Sequence, residues 1–358
     1  MQGPTTKESG VGLPVRPPLE PMLAKAQTTV PTDAGVWSFE PKWDGFRALV
    51  FRDGEDVLLL SRSGKDLGRY FPEVVMAVRA EFADRCVLDG EIVVPRDFDG
   101  RTRLDWESLS QRIHPAQSRI DKLSNQTPAH FIGFDALAIG DRSLLGEPFR
   151  ARRQALLDCV DEKTWCHVTR TTEDPALGVR WLQEFEGAGL DGVIAKRLDG
   201  PYLPGKREMV KVKHHRDADC VAMGYRIHKS GEGIGSILLG LYRADGELQM
   251  VGGAASFTAK ARLALLADLE PLRIGEDLRD GEPSRWNSAA DKRWIPVRPE
   301  RVCEVAYDQM EGNGPAAQRF RHAVKFLRWR PDRDPAGCTF AQLDVPLNYD
   351  LSDVLEKN

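Results

Sequence analysis

The chain has 358 residues, a formal net charge of −4, and 29% charged against 41% hydrophobic residues. This composition excludes a disordered or collagen-like chain, and the length exceeds what one hydrophobic core usually supports, so two domains are expected. The negative sum also excludes a protein that grips nucleic acid through bulk positive charge, although it says nothing about cations gathered locally.

Residues 1–20 are polar, rich in Pro and Gly, and lack the apolar core of a signal peptide, which predicts a flexible leader. Residues 36–40 read as a strand running into Pro41. Residues 46–51 and 57–61 follow as a hairpin turning at Asp53-Gly54. Pro72 opens a helix over 73–82, with Glu73 in its first turn. Residues 87–94 and 130–139 are apolar runs expected as strands, the first interrupted by Asp-Gly-Glu. Helical periodicity covers 147–160 and 174–186, the second stopped by Gly187 and Gly189. A short strand over 192–195 and a basic one over 209–213 complete the first part.

Beyond 214–219 the character changes. Short strands are expected over 221–227, 237–242, 248–252, 302–308 and 324–329, with a single helix over 259–269. Such a set suits a small Greek-key barrel of the OB-fold kind. The expected organisation is a leader (1–20), a first domain (21–214), a hinge (215–219), a second domain (220–340) and a surface tail (341–358). None of the six cysteines forms a CxxC pair, so reduced thiols in a cytosolic protein are expected. No apolar run reaches the length of a membrane span.

Several short segments carry more chemistry than a fold requires. Glu40-Pro41-Lys42-Trp43-Asp44-Gly45-Phe46-Arg47 puts a lysine, an aspartate and an arginine around a tight turn. A lysine becomes a nucleophile when nearby cations or burial favour its neutral amine. Ser61-Arg62-Ser63-Gly64-Lys65 sets two cations at a strand end. Asp89-Gly90-Glu91 places carboxylates inside an apolar strand, where they are costly unless paired or bound to metal. Phe134-Asp135 lies in another apolar strand, and periodicity alone reads Phe134 as core. Asp191-Gly192 precedes Lys196 and Arg197 across a short strand. Lys211 and Lys213 alternate and so share one face.

Taken in order, these segments resemble the motifs of the covalent nucleotidyltransferases: ATP-dependent DNA ligases, RNA ligases and mRNA-capping enzymes. The resemblance runs from about Pro21 to Pro335. Pro21-Met22-Leu23-Ala24, the segment 39–47, and Phe326-Leu327-Arg328-Trp329-Arg330-Pro331-Asp332-Arg333 make it most similar to the short bacterial ATP-dependent DNA ligases, both ligase C and the ligase module of ligase D. It implies an α+β fold: a nucleotidyltransferase domain of ATP-grasp-like antiparallel sheets with helices, then a β-barrel OB-fold domain.

The resemblance also implies roles. Lys42 would attack the α-phosphate of ATP and carry AMP covalently. Glu40 would accept from the adenine amino group, and Phe134 would stack on the base. Arg47 and Glu91 would contact ribose and phosphates, and Glu91 and Asp191 would steer Mg²⁺, or Mn²⁺ in its place. Asp44 would act near a 3′-hydroxyl and Arg62 near a 5′-phosphate. Lys196, Lys211 and Lys213 would hold the α-phosphate, while Arg328, Arg330 and Arg333 would meet the departing pyrophosphate when the second domain closes. The implied partner is nicked double-stranded DNA, bound by a monomer in the bacterial cytosol during DNA repair, alongside other repair proteins.

The sequence departs from the commonest family pattern at Asp191, where a glutamate is usual, at Met209, where many relatives carry an aromatic, and at Arg333, where many have lysine. Two rival readings are weighed: an RNA ligase or capping-type enzyme, opposed by Glu40 and the closing motif, and a catalytically silent nick-binding protein, opposed by intact Lys42, Glu91, Lys211 and Lys213. The charge sum now reads differently. Residues 206–216 hold five cations against one acid, and 319–333 hold six against one. Cations are concentrated where phosphates would react, and salt-sensitive DNA binding is expected.

Overall fold

A computed structural model describes residues 12–98, 100–161, 164–214, 216–280, 293–312, 317–343 and 349–355. The described residues up to Lys213, together with 349–355, form one compact unit, and those between form a second. Residues 1–11 of the expected leader and His215 of the expected hinge lie outside the described residues.

The first unit contains, in chain order, β1 (Leu23–Gln27), β2 (Trp37–Pro41), β3 (Phe46–Asp53), β4 (Asp56–Ser61), α1 (Pro72–Glu81), β5 (Arg85–Val93), β6 (Pro95–Phe98), β7 (Arg101–Leu104), α2 (Trp106–Gln111), α3 (Gln117–Gln126), β8 (His130–Ile139), β9 (Arg142–Ser143), α4 (Phe149–Asp158), β10 (Cys166–Val168), α5 (Pro175–Glu184), β11 (Val193–Arg197) and β12 (Arg207–Val212). One sheet has the order β1-β12-β11-β2. The other runs β10-β8-β5-β3-β4, with β9 beside β8.

Alternation along β3 explains why its run Ala48–Phe51 is apolar on both faces. Ala48 and Val50 join a core with Val74 and Val78 of α1, whereas Leu49 and Phe51 face the opposite way, into a core with Met209 of β12. The same alternation in β5 puts Asp89 and Glu91 on the Val87 side, towards that second core. The β3–β4 hairpin turns where expected, with Gly54 at φ 62°. Asp174 caps α5 by accepting from Ala176 N at 2.9 Å, and the following turn ends at Gly189 with φ 88°.

Two expectations about the chain ends change. Leu13 and Val15, within the expected leader, are buried against Leu49, Phe51 and Leu60. The expected surface tail contains α7 (Leu351–Leu355), named here out of turn because it packs on the first unit. Leu351 and Val354 are buried with Phe185, and the Tyr349 ring lies 4.9 Å from that of Phe185. Apolar burial, which the polar neighbours conceal in the sequence, fixes both segments.

The second unit contains β13 (Arg216–Ile227), β14 (Ile234–Tyr242), β15 (Leu248–Ala254), α6 (Ala259–Leu269), β16 (Ile295–Pro296), β17 (Val302–Tyr307), β18 (Met310–Glu311), β19 (Arg319–Phe320) and β20 (Lys325–Trp329). Its sheet runs β15-β14-β13-β17-β20, with β16 also on β13. The strand ladder does not close into a barrel. Its two edges meet only through a bridge between Ala254 and Val324, among the described residues. Arg216–Asp219, expected as hinge, are strand residues opposite Tyr307–Glu304, so regular pairing begins directly after the unit boundary.

Candidate active site

Backbone pairing sets the nucleophile candidate. Beyond the end of β2, Lys42 N donates to Gly192 O at 2.8 Å, and Asp191 N donates to Lys42 O at 2.9 Å. This extends the β2–β11 ladder by one step and brings the two side chains together. Lys42 Nζ donates to Asp191 Oδ2 at 2.6 Å, and Lys213 Nζ lies 2.7 Å from the same oxygen. Glycine is required on both sides. A Cβ on Gly192 (φ 134°) would stand 2.1 Å from Val212 O, and one on Gly45 would stand 2.1 Å from Ile92 O. Gly45 N donates to Glu91 Oε1 at 3.2 Å, which ties the Lys42–Gly45 turn to β5. Asp44 is half-buried within this turn.

Arg47 lies directly opposite Glu91 across the β3–β5 pair but bonds diagonally to Asp89. Its Nε and Nη2 each donate to Asp89 at 2.6 Å, and Nη2 also reaches Met22 O at 3.2 Å. Tyr202 donates its hydroxyl to Asp89 Oδ2 at 2.6 Å and accepts from Met22 N at 2.9 Å. Asp89, with no exposed surface, is thus satisfied by a planar fork and a phenol. Burial works against the charge on Arg47, but Asp89 leaves its pKa raised. The sequence marks Asp89 only as an acid in an apolar strand, and Tyr202 not at all. Alternation with Glu91 was the available signal for Asp89.

Phe134 reaches the site through a bulge. Asp89 opposes Asp135 and Gly90 opposes Gly133, so Phe134 is the extra residue on β8. A bulge re-aims one side chain out of the alternation, so Phe134 is buried as periodicity expects and also lines the cleft. The ring is 6% exposed, and Arg47 lies 4.6 Å from its centroid.

Glu40 is almost fully buried, and burial raises its pKa although Lys196 opposes this. Lys196 Nζ lies 3.0 Å from Glu40 Oε1 and donates to Phe134 O at 2.9 Å. Glu40 Oε2 has no hydrogen-bond partner among the described residues. Lys196 is itself 2% exposed and does not line the cleft. The structure therefore places it behind Glu40, with its ammonium 4.7 Å from the Phe134 ring centroid.

The cleft has a volume of about 240 Å³. Its walls bring together Glu40, Lys42, Arg47, Arg62, Glu91, Phe134 and Lys211, each given a role from the sequence, and add Leu23, Ile194 and Arg207, which were given none. Met209 also lines it, at the position where relatives carry an aromatic. Burial pushes the Glu91 carboxyl up to about 7, against the pull of Arg47 and Lys42. Burial, then Lys42 and Lys213, lower the pKa of Lys211. Asp191 and Lys213 flank the cleft through Lys42 without lining it.

Among the described residues no group of three His, Cys, Asp or Glu side chains could hold a metal ion. Asp191 is engaged by two lysines, so Glu91, whose raised pKa a cation would relieve, fits a metal better. A single carboxylate suits Mg²⁺, which keeps waters and takes its other oxygens from substrate phosphates.

The closing-motif arginines lie in the second unit and are matched by acids there. Arg328 is 2.7 Å from Glu304, Arg330 is 3.1 Å from Asp219 and 2.8 Å from Asp332, and Arg333 is 2.9 Å from Asp219.

A lysine, an orphaned buried acceptor and several cations lining one cleft suit a covalent nucleotidyltransferase site. Comparison with known proteins agrees. The family described as ATP dependent DNA ligase domain matches residues 21–213, and that described as ATP dependent DNA ligase C terminal region matches 230–333. DNA ligase C1 of Mycolicibacterium smegmatis is 80% identical over 96% of this chain and 99% of its own. The multifunctional non-homologous end joining DNA repair protein LigD of Mycobacterium tuberculosis is 34% identical over 89% of this chain, which spans 39% of that longer protein. A solved Lig E DNA ligase shares the fold, with a TM-score of 0.53 at 16% identity, covering 86% of this chain and 99% of that one. The chain belongs to the ATP-dependent DNA ligases.

Proposed function

We propose that this enzyme seals 5′-phosphate/3′-hydroxyl nicks in duplex DNA through a lysyl-AMP on Lys42 and a DNA-adenylate. Lys42 Nζ loses a proton and attacks the α-phosphorus of ATP. The P–O bond to pyrophosphate breaks as the P–N bond forms. The nick's 5′-phosphate then takes AMP from Lys42, and the 3′-hydroxyl attacks that phosphate and expels AMP. Asp191 orients Nζ, and Lys211 and Lys213 offset charge on the α-phosphate.

The observation that carries the reading is the orphaned Glu40 Oε2 at the cleft wall. A buried acceptor without a donor is costly, and the adenine amino group supplies one. Lys196 holds the other oxygen and favours the charged form, against the burial that raises the Glu40 pKa. Phe134 stacks on the base, and Arg47 contacts ribose. Glu91 would hold Mg²⁺, or Mn²⁺ in its place, which would supply positive charge to offset that of the phosphates. Asp44 serves the 3′-hydroxyl, Arg62 the 5′-phosphate, and Arg328, Arg330 and Arg333 the pyrophosphate. The six cysteines are free thiols, and no helix among the described residues is long and apolar enough to cross a membrane. We place the enzyme in the cytosol, acting as a monomer in DNA repair with other repair proteins.

The test uses protein adenylated with ATP and then freed of nucleotide. Mixed with a nicked duplex and divalent cation, it should seal up to one nick per adenylate. Failure to seal DNA while sealing nicked RNA would overturn the substrate assignment.

A further inference from the structure

The ribbon formed by β6 and β7 belongs to neither sheet of the first unit. It follows β5, the strand that closes over the Gly45 turn, and begins four residues beyond Glu91, which lines the cleft. A two-stranded ribbon is marginal by itself, and this one carries an unfavourable pairing. Arg96 and Arg103 are directly opposite each other, and Arg101 is opposite Phe98. Like charges facing across strands destabilise a ribbon.

Both facing arginines lie over one ring, at 5.5 Å and 5.1 Å from the Phe98 centroid. All three arginines are exposed. Arg96 is braced at the base, 3.1 Å from Asp105, the residue that also caps α2. Arg103 has no ion-pair partner among the described residues. Asp350 accepts from Thr102 N at 3.1 Å and lies near Arg101. Leu104, at the ribbon's end, is buried in the same core as Leu351 and Val354 of α7. The ribbon is thus fixed at its root and presents guanidinium groups outward, three against the single acid Asp97 among its described strand residues.

We propose that the β6–β7 ribbon grips duplex DNA beside the nick, with Arg101 and Arg103 on backbone phosphates. This rests on the reading of nicked DNA as substrate. Planar guanidiniums pair with phosphate oxygens in a two-toothed geometry that lysine does not match. Phosphates also offset the Arg96–Arg103 repulsion, which Asp105 relieves on the Arg96 side only. An acidic protein would satisfy the same charges, but it would leave DNA affinity untouched when they are removed.

The experiment compares the wild-type protein with Arg101→Ala/Arg103→Ala by anisotropy titration of a nicked duplex over a range of salt. Adenylation by ATP is read alongside by intact mass. The double variant should adenylate at the wild-type rate. Its affinity for the nick should fall ~10-fold or more at low salt, and the slope of log K against log salt should flatten by ~1.8 for two lost phosphate contacts. The Arg101→Lys/Arg103→Lys protein should keep most of the slope. Unchanged affinity and slope in the alanine protein would overturn the proposal, as would equal losses in both variants, which would mark a structural role. Failure of wild-type protein to bind or seal nicked DNA would instead strike the underlying reading.

Discussion

In the first unit the cleft keeps charge incompletely satisfied. Glu40 Oε2 has no donor among the described residues, Glu91 is pushed up to about 7, and Lys42 and Lys213 share one carboxylate oxygen. In the second unit Arg328, Arg330 and Arg333 are matched by Asp219, Glu304 and Asp332 at ion-pair distance. The first arrangement costs stability, and in the proposed function a nucleotide completes it. The second is stable as it stands, so its arginines serve a phosphate only by exchanging a carboxylate for it. In the proposed function the cleft holds the nucleotide, and the arginine cluster lends a charge during one step.

The sharpest way to break this comparison is Arg330→Ala. Adenylation by ATP should fall ~10²–10³-fold, the usual cost of one lost charge-stabilising donor. Sealing by protein already adenylated should be spared. Loss of both in rapid-quench assays would remove the distinction between the two regions.

Next comes Glu91→Gln. The folded protein holds the Glu91 proton between the ordinary carboxylate value of 4.5 and about 7, where the unfolded chain releases it. Stability of the nucleotide-free protein should therefore fall as pH rises through that window. The glutamine variant should lose this dependence and melt ~2–4 °C higher at pH 8 while adenylating more slowly. An unchanged melting profile between pH 5 and pH 8 would show that Glu91 carries no such penalty.

A smaller effect, confined to stability, is expected from Leu351→Ala. Leu351 has no exposed surface, so its truncation should cost ~2–4 kcal/mol in denaturant titrations. No change would mean that α7 does not hold its place on the first unit.

Much of this was legible in the sequence, where pattern and position coincide. The Lys42–Arg47 turn, the β3–β4 hairpin and α6 fall where spacing puts them. The site is less legible wherever a side chain departs from its strand's alternation. Phe134 enters the cleft because one bulge shifts the register, and no periodicity argument contains that bulge. Lys196 reads as a phosphate ligand beside Lys211 and Lys213, yet its strand directs it under Phe134 to Glu40. Tyr202 partners Asp89 from 113 positions away, a contact made by tertiary packing alone. The β6–β7 ribbon escaped notice because its exposed arginines leave no apolar face to read.

The central claim is that Lys42 carries the nucleotide, and peptide mapping after reaction with ATP and Mg²⁺ tests it most directly. One AMP should be found on the peptide containing Lys42, in an acid-labile P–N bond, and none on the Lys42→Ala protein. AMP on any other residue, or an adduct that survives Lys42→Ala, would contradict the account.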